Sequence, residues 1–460
     1  MRDMDEMEDK MVNTNQYKSN KYLIKITIPV FIETLLATLI GSADQLMIKS
    51  QSGDAYTAIG NVNQIINVFL MTFNVVAVAS TILIAQYIGA RNKEKVNQLY
   101  SLSFVINIIF GIFVTGLLLL FYNPIFEWLN YPDVIIDEAK TYIVWIGSGL
   151  ILNSIMVTFS AFLKANGFMK ECMYIAILSN VINIGGNALL LFGWFGIPKL
   201  GITGVSIASN FSKIVAVVLL ATVYKHRIGV KITLKEIRPF PFGQLKKMLG
   251  IGIPSAGESF SFAFVTIVLQ KFINKFGAKI IQAKVTVNLL SFVSWIFANA
   301  ISTTSQVIVG YLMGAKDIEG TDKRFKTSRL MSMAFSFAGS LILFFLCEPI
   351  CGIFIDDAHT LMVCKEIMFV EIFLEQGRAV NLCAVRSLQA CGDARYPIIL
   401  AITVSWIVAV GGGYILGVVF DLGIVGVWIA MAADEIIRGV LLSIRWKYGK
   451  WRKISLVGQA

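Results

Sequence analysis

The chain has 460 residues, of which 56 % are hydrophobic and 15 % charged, and its formal net charge is +11. An ordinary soluble domain carries about 25 % charge, so the composition excludes that class and fits a protein embedded in lipid. Two histidines, His226 and His359, and six cysteines without CxxC spacing exclude a histidine-based metal centre; the cysteines read as small buried hydrophobes.

In chain order, the first element is a polar, acidic stretch, MRDMDEMEDKMVNTNQYKSN, at 1–20. It has no apolar central run, so it predicts a disordered cytosolic tail and no cleavable signal. Windows of about 20 residues nearly free of charge follow, the mark of transmembrane helices. Twelve are predicted, at 22–46, 57–87, 95–122, 135–163, 168–194, 200–224, 245–272, 280–313, 325–347, 361–390, 395–418 and 422–446. Basic residues gather in alternate connections: Lys18, Lys21 and Lys25; Arg91, Lys93 and Lys95; Lys164 and Lys170; the stretch 225–247; Lys323 to Arg329; and Arg445 to Lys453. The connections between are short or acidic, apart from Lys271, Lys275 and Lys279 on the predicted outer side. This positive-inside pattern places both termini in the cytoplasm and accounts for the net charge without a nucleic-acid partner.

The sequence also repeats itself. An offset of 225 residues aligns IPVFIE at 28–33 with IPSAGE at 253–258, GARNKE at 89–94 with GAKDIE at 314–319, and LKANG at 163–167 with LQACG at 388–392. After a small length change GITGVSIA at 201–208 answers GIVGVWIA at 423–430. Two halves of six spans enter the membrane in one orientation and form a parallel repeat. The expected fold is therefore an all-α polytopic membrane protein with twelve transmembrane helices in two six-helix parallel repeats around a central cleft. Its parts are a cytosolic tail at 1–20, an N-terminal lobe at 21–224, a basic cytoplasmic linker at 225–245, a C-terminal lobe at 246–446 and a cytoplasmic tail at 447–460. The linker either lies on anionic lipid or is simply solvated. Each half opens a helix with a proline, Pro29 or Pro254, four residues ahead of a glutamate.

Ionisable and amide groups inside spans are the functional candidates. In span 1, Glu33 and Asp44 fall on one helix stripe about 16 Å apart, with Ala37 and Gly41 beside it. Span 2 carries Asn61, Gln64, Asn67, Met71 and Asn74 at roughly helical spacing, and span 8 carries Asn288, Ser291, Trp295 and Asn299. Both sets suit the lining of a cleft for bulky amphiphilic cations, or plain inter-helix packing. Span 5 presents Asn180, Asn183 and Asn187 on one face; such amides also glue helices together. Glu258 is the only acid of span 7. Span 10 holds Glu371, Glu375 and Arg378 on one face with Arg386 two turns on, and span 12 holds Asp434, Glu435 and Arg438. These predict an ionic network inside the second half, functional or structural.

Taken together, the twelve spans, the duplication, Asp44 in SADQLMI, AQYIGARNKEK after span 2, Glu258 in GIPSAGES and LQACGDARYP after span 10 are similar to one family. From about residue 20 to 446 the chain resembles the multidrug and toxic compound extrusion (MATE) transporters. The resemblance implies export of organic, often cationic, compounds coupled to inward flow of protons or sodium. It further implies a cation or proton site built by Asp44 with Asn183 and Asn187, where Asn187 replaces an aspartate the family often has, and a functional glutamate at Glu258. An acid in span 10 completes the implied set.

The chemistry agrees. A carboxylate in low dielectric can take up a proton on one side and release it on the other, and an organic cation competes with that proton for the ionised form. Moving one positive charge outward against an interior-negative potential costs about 2.3 kcal/mol per 100 mV, which one proton moving inward returns. No phosphate-binding GxxxxGK[ST], GxSxG or HExxH motif occurs. The expectation is an antiporter in the cell membrane, not an enzyme, without cofactor, acting as a monomer on small organic cations within the lipid bilayer, with H+ favoured over Na+ as coupling ion. The rival is a flippase for a lipid-linked oligosaccharide or other amphiphilic lipid, which would want a basic cleft.

Overall fold

The computed structural model describes residues 14–49, 52–129, 131–196, 198–454 and 456–458, and among these every regular element is helical. In chain order they are α1 (Thr14–Lys18), α2 (Asn20–Lys49), α3 (Gly53–Gly89), α4 (Lys93–Trp128), α5 (Asp133–Ser148), α6 (Leu150–Ala165), α7 (Met169–Phe192), α8 (Gly201–Arg227), α9 (Phe242–Ile273), α10 (Ala278–Gly314), α11 (Ile318–Phe345), α12 (Cys347–Cys351), α13 (Ala358–Ala390), α14 (Arg395–Val404) and α15 (Gly423–Lys447). Among the described residues nine helical stretches are long and apolar enough to cross a membrane. The predicted segments 22–46, 361–390 and 422–446 also form long helices, α2, α13 and α15. Charges inside α13 and α15 make these two less apolar than the nine.

Three segments differ from their sequence reading. The fourth predicted span is two helices of 16 residues, α5 and α6, separated at Gly149. A Cβ at Gly149 would overlap the Asn210 amide, and Asn210 Nδ2 donates to Trp145 O at 2.7 Å. A side chain inserted at the helix ladder is a recognised cause of such breaks. The eleventh span starts as α14 but widens to π geometry over Ser405–Gly412 and Ile415–Val419. Pro29 and Pro254 do not open their helices: α2 begins at Asn20 and α9 at Phe242, so both prolines lie inside.

The described end of the predicted disordered tail is ordered. Tyr17 of α1 stacks on Tyr311, centroids 4.0 Å apart, and the buried Arg324 donates from Nη2 to Tyr17 O at 2.8 Å. Lys18 pairs with Asp317 at 2.7 Å. Partial burial acts to raise the Asp317 pKa, but Lys18 and the Gly320 N–H outweigh it and hold the carboxyl below the usual range. Residues 1–13 of that tail lie outside the described set. The basic linker is pinned as well, with Thr233 N donating to Ser101 Oγ at 3.1 Å and Ile237 buried.

The chain forms two compact units. One comprises Met1–Phe31, Ala85–Arg91 and Ile253–Ala460; the other comprises Ile32–Ile84 and Asn92–Gly252. The core of the second is built by α3, α4, α5, α7 and α8 through residues such as Ile59, Val62, Phe73, Leu118, Ile143, Leu191 and Val205. The first has one core around Leu269, Val287, Ile367, Leu374 and Val427, and another around Phe325, Leu388, Trp446 and Trp451.

Local geometry recurs at the sequence offset of 225. Arg91 and Lys316 both adopt left-handed φ, 56° and 60°. The next residues are both N-caps: Asn92 accepts from Lys95 N, and Asp317 accepts from Gly320 N. Gly89 and Gly314, repeat equivalents, lie against each other's helix. A Cβ at Gly89 would overlap the Tyr311 carbonyl, and one at Gly314 the Gln86 carbonyl. Small residues here let two backbones touch, a common device in membrane helix packing. Gly314→Ala is expected to cost about 1–3 kcal/mol through overpacking, read as a lower unfolding midpoint of the detergent-solubilised protein. An unchanged midpoint would mean the helices separate freely at this point.

Candidate functional site

The unit containing 32–84 and 92–252 places Asp44 in a polar pocket. Asp44 is buried, 6 % exposed. It accepts from Asn187 Nδ2 at 2.5 Å and from Ser209 Oγ at 3.0 Å. Asn183 Nδ2 donates to the same serine at 2.9 Å. The Asn187 Oδ1 oxygen is buried without a partner, and Asn183 Oδ1 lies at the edge of hydrogen-bond range from the Asn187 amide. One carboxylate, two amide oxygens and a hydroxyl thus converge, a donor set suited to a proton or a hard monovalent cation. Asn180 is buried but donates to the Ala176 carbonyl of its own helix. Lys213 supplies a positive charge that acts on Asp44. The sequence did not single out Ser209 or Lys213; the stripe Ser206, Ser209 and Lys213 on one face of α8 was the available signal.

Glu33 belongs to a different place. Its Oε1 pairs with Lys164 Nζ at 2.8 Å, while Oε2 is buried without a partner. Lys164 is therefore not the loop cation it resembled in the sequence. It lies in the last turn of α6 and is turned onto α2.

In the other unit α13 and α15 face each other with their charged stripes. Arg378 contacts Glu375 closely, Glu371 at 3.6 Å and Glu435 at 3.8 Å. Arg438 binds Asp434 at 2.6 Å and Glu435 at 3.1 Å. Asn381 Nδ2 donates to Glu435 at 2.6 Å and Trp428 Nε1 to Glu371 at 2.7 Å. Glu371, Glu375, Asp434, Glu435 and Arg438 are all buried. When all are ionised, the four carboxylates exceed the two guanidiniums by two charges. Such an excess in low dielectric is costly, several kcal/mol per ion, unless a proton or cation neutralises it. Glu258 of α9 is half-buried. It accepts from Gln389 Nε2 at 3.1 Å and has no ion pair within 4.0 Å among the described residues.

Beside this network lies a cavity of about 180 Å³ lined by Phe262, Asn288, Ser291, Phe292, Trp295, Glu371, Arg378, Trp428 and Met431. The predicted cleft residues Asn288 and Trp295 are in its wall; Asn299 is half-buried and outside it. Drug-sized ligands occupy about 300–1,000 Å³, so this space fits a ring or an ammonium head rather than a whole molecule. On α3, Asn61 is half-buried and Gln64, Asn67 and Met71 are exposed on one stripe.

The MatE family model matches the chain over residues 29–189 and again over 254–415. A relative described as an uncharacterized transporter, YisQ of Bacillus subtilis, is 29 % identical over 429 residues, 93 % of this chain and 94 % of the relative. One of Thermotoga maritima described as "Probable multidrug resistance protein NorM" is 28 % identical over 438 residues, 95 % and 94 %. In fold, the chain is similar to the Vibrio cholerae MATE transporter VcmN in its bent form, with TM-score 0.88, 18 % identity and coverage of 97 % and 99 %. With apolar helices in number and a family match across more than half of its length, this chain belongs to the MatE family and is a multi-pass membrane transporter.

Proposed function

We propose that this transporter is an antiporter of organic, cationic, amphiphilic compounds in the cell membrane, with both termini cytoplasmic and inward proton flow as the driving force. Sodium is the alternative coupling ion. Twelve spans in two parallel repeats rock about a central cleft. The family match starting at 29 and again at 254, and the recurring caps and left-handed residues at one offset, support the repeat.

The observation that carries the reading is the excess of buried carboxylates on α13 and α15 beside an aromatic cavity. Trp and Phe faces attract an organic cation, worth about 2 kcal/mol or more once it is desolvated. Glu371 in the same wall supplies the opposite charge. A proton taken up by the network removes part of that attraction, so the two cations compete. Asp44 with Asn183, Asn187 and Ser209 forms a second candidate proton or cation site. The polar stripe of Gln64 and Asn67 in an otherwise apolar helix suits a watered cleft better than lipid. The acidic excess disfavours a pyrophosphate lipid as cargo.

Competition has a direct signature. Adding tetraphenylphosphonium to the detergent-solubilised protein in weak buffer is expected to release protons, read by a pH indicator dye. Binding of the cation without proton release would remove protons as the competing ion.

A further inference from the structure

The repeated glutamates Glu33 and Glu258 have repeat-equivalent partners. Lys164 and Gln389 stand at the same place in LKANG and LQACG, again 225 residues apart. The geometry matches: Lys164 Nζ lies 2.8 Å from Glu33, and Gln389 Nε2 lies 3.1 Å from Glu258. One ancestral contact has thus been kept in both halves with different chemistry, an ammonium in one and a neutral amide in the other.

That difference matters for a group that must change protonation. An ammonium has three donors and no acceptor, so it stabilises only the carboxylate form. An amide has both donors and an acceptor. Its N–H₂ satisfies the carboxylate, and after rotation its oxygen accepts from the protonated acid. Gln389 also has somewhere to turn, since Gln306 Nε2 donates to its Oε1 at 3.3 Å in the present arrangement. The other groups facing Glu258 are Arg386 on α13 and Glu435 and Arg438 on α15, none within ion-pair distance among the described residues. Those facing Glu33 are Lys164 on α6 and Cys172 on α7.

We propose that the residue at positions 164 and 389 decides which of the two repeated glutamates carries protons: Lys164 holds Glu33 as a fixed ion pair, and Gln389 leaves Glu258 free to bind and release a proton. Lys164 and Gln389 are positioning residues in this scheme. The inference rests on the reading of Glu258 as a coupling carboxyl.

The test is the carboxylic-acid C=O stretch followed by difference infrared spectroscopy across pH on the purified full chain. Wild type is expected to show a titrating band that Glu258→Gln removes. Gln389→Lys is expected to remove it too, and to lower proton-driven transport at least about tenfold, within the range of coupling free energies. Because Gln389→Lys adds a charge in the interior and can fail to assemble, Lys164→Gln decides independently. It is expected to add a second titrating band that disappears again in Lys164→Gln/Glu33→Gln. Absence of any band sensitive to Glu258→Gln overturns the coupling role of Glu258 and this inference with it. A Glu258 band with no new band in Lys164→Gln overturns the inference alone.

Discussion

Cells producing Glu258→Gln are expected to export ethidium no faster than cells without the transporter, while the variant reaches the membrane at normal levels. The substitution keeps the size and hydrogen-bonding reach of the side chain, so Gln389 retains a partner. It removes the only ionisable group of α9 that contacts Gln389 and with it the ability to exchange a proton for a cation. Destabilisation is expected to be small, because no ion pair is broken. Export near the wild-type rate would remove Glu258 from coupling and shift the role to Asp44 or to the α13–α15 network.

The second large effect concerns stability. Arg378→Met is expected to destabilise the protein by about 3–5 kcal/mol, the usual cost of removing one partner from a buried ion pair. Arg378 touches three carboxylates, Glu371, Glu375 and Glu435. Glu375 is 0 % exposed and its Oε2 already lacks a partner. Removing the guanidinium leaves that carboxylate buried beside like charges. The double variant Arg378→Met/Glu375→Gln is expected to recover part of the loss, since it removes the stranded charge as well. Thermal unfolding in detergent reads both variants. Equal midpoints for wild type and Arg378→Met would show that the network is hydrated and loosely held.

Much of this was legible in the sequence because it is written at helical spacing. Glu371, Glu375 and Arg378 share a face by periodicity alone, and the structure joins them. Asp44 with Asn187 was reached through resemblance, and the two side chains do meet. The helical segments and the repeat offset were visible for the same reason, since both are patterns within the chain. What stayed hidden needs a neighbour from another helix. Lys164 looked like a loop cation because it follows an apolar run and precedes a glycine. Only the packing of α6 on α2 turns it onto Glu33. Ser209, Gln389 and Trp428 are unremarkable in sequence and gain meaning from the carboxylate each one faces. The break at Gly149 likewise depends on Asn210, which lies 61 residues away in sequence.

The most direct measurement is transport by the purified protein in proteoliposomes that contain no sodium, with a pH gradient as the sole driving force. Ethidium movement against its own gradient, collapsing when the pH gradient is dissipated, is the expected result. Movement that requires sodium and ignores the pH gradient would contradict proton-coupled exchange through these carboxylates.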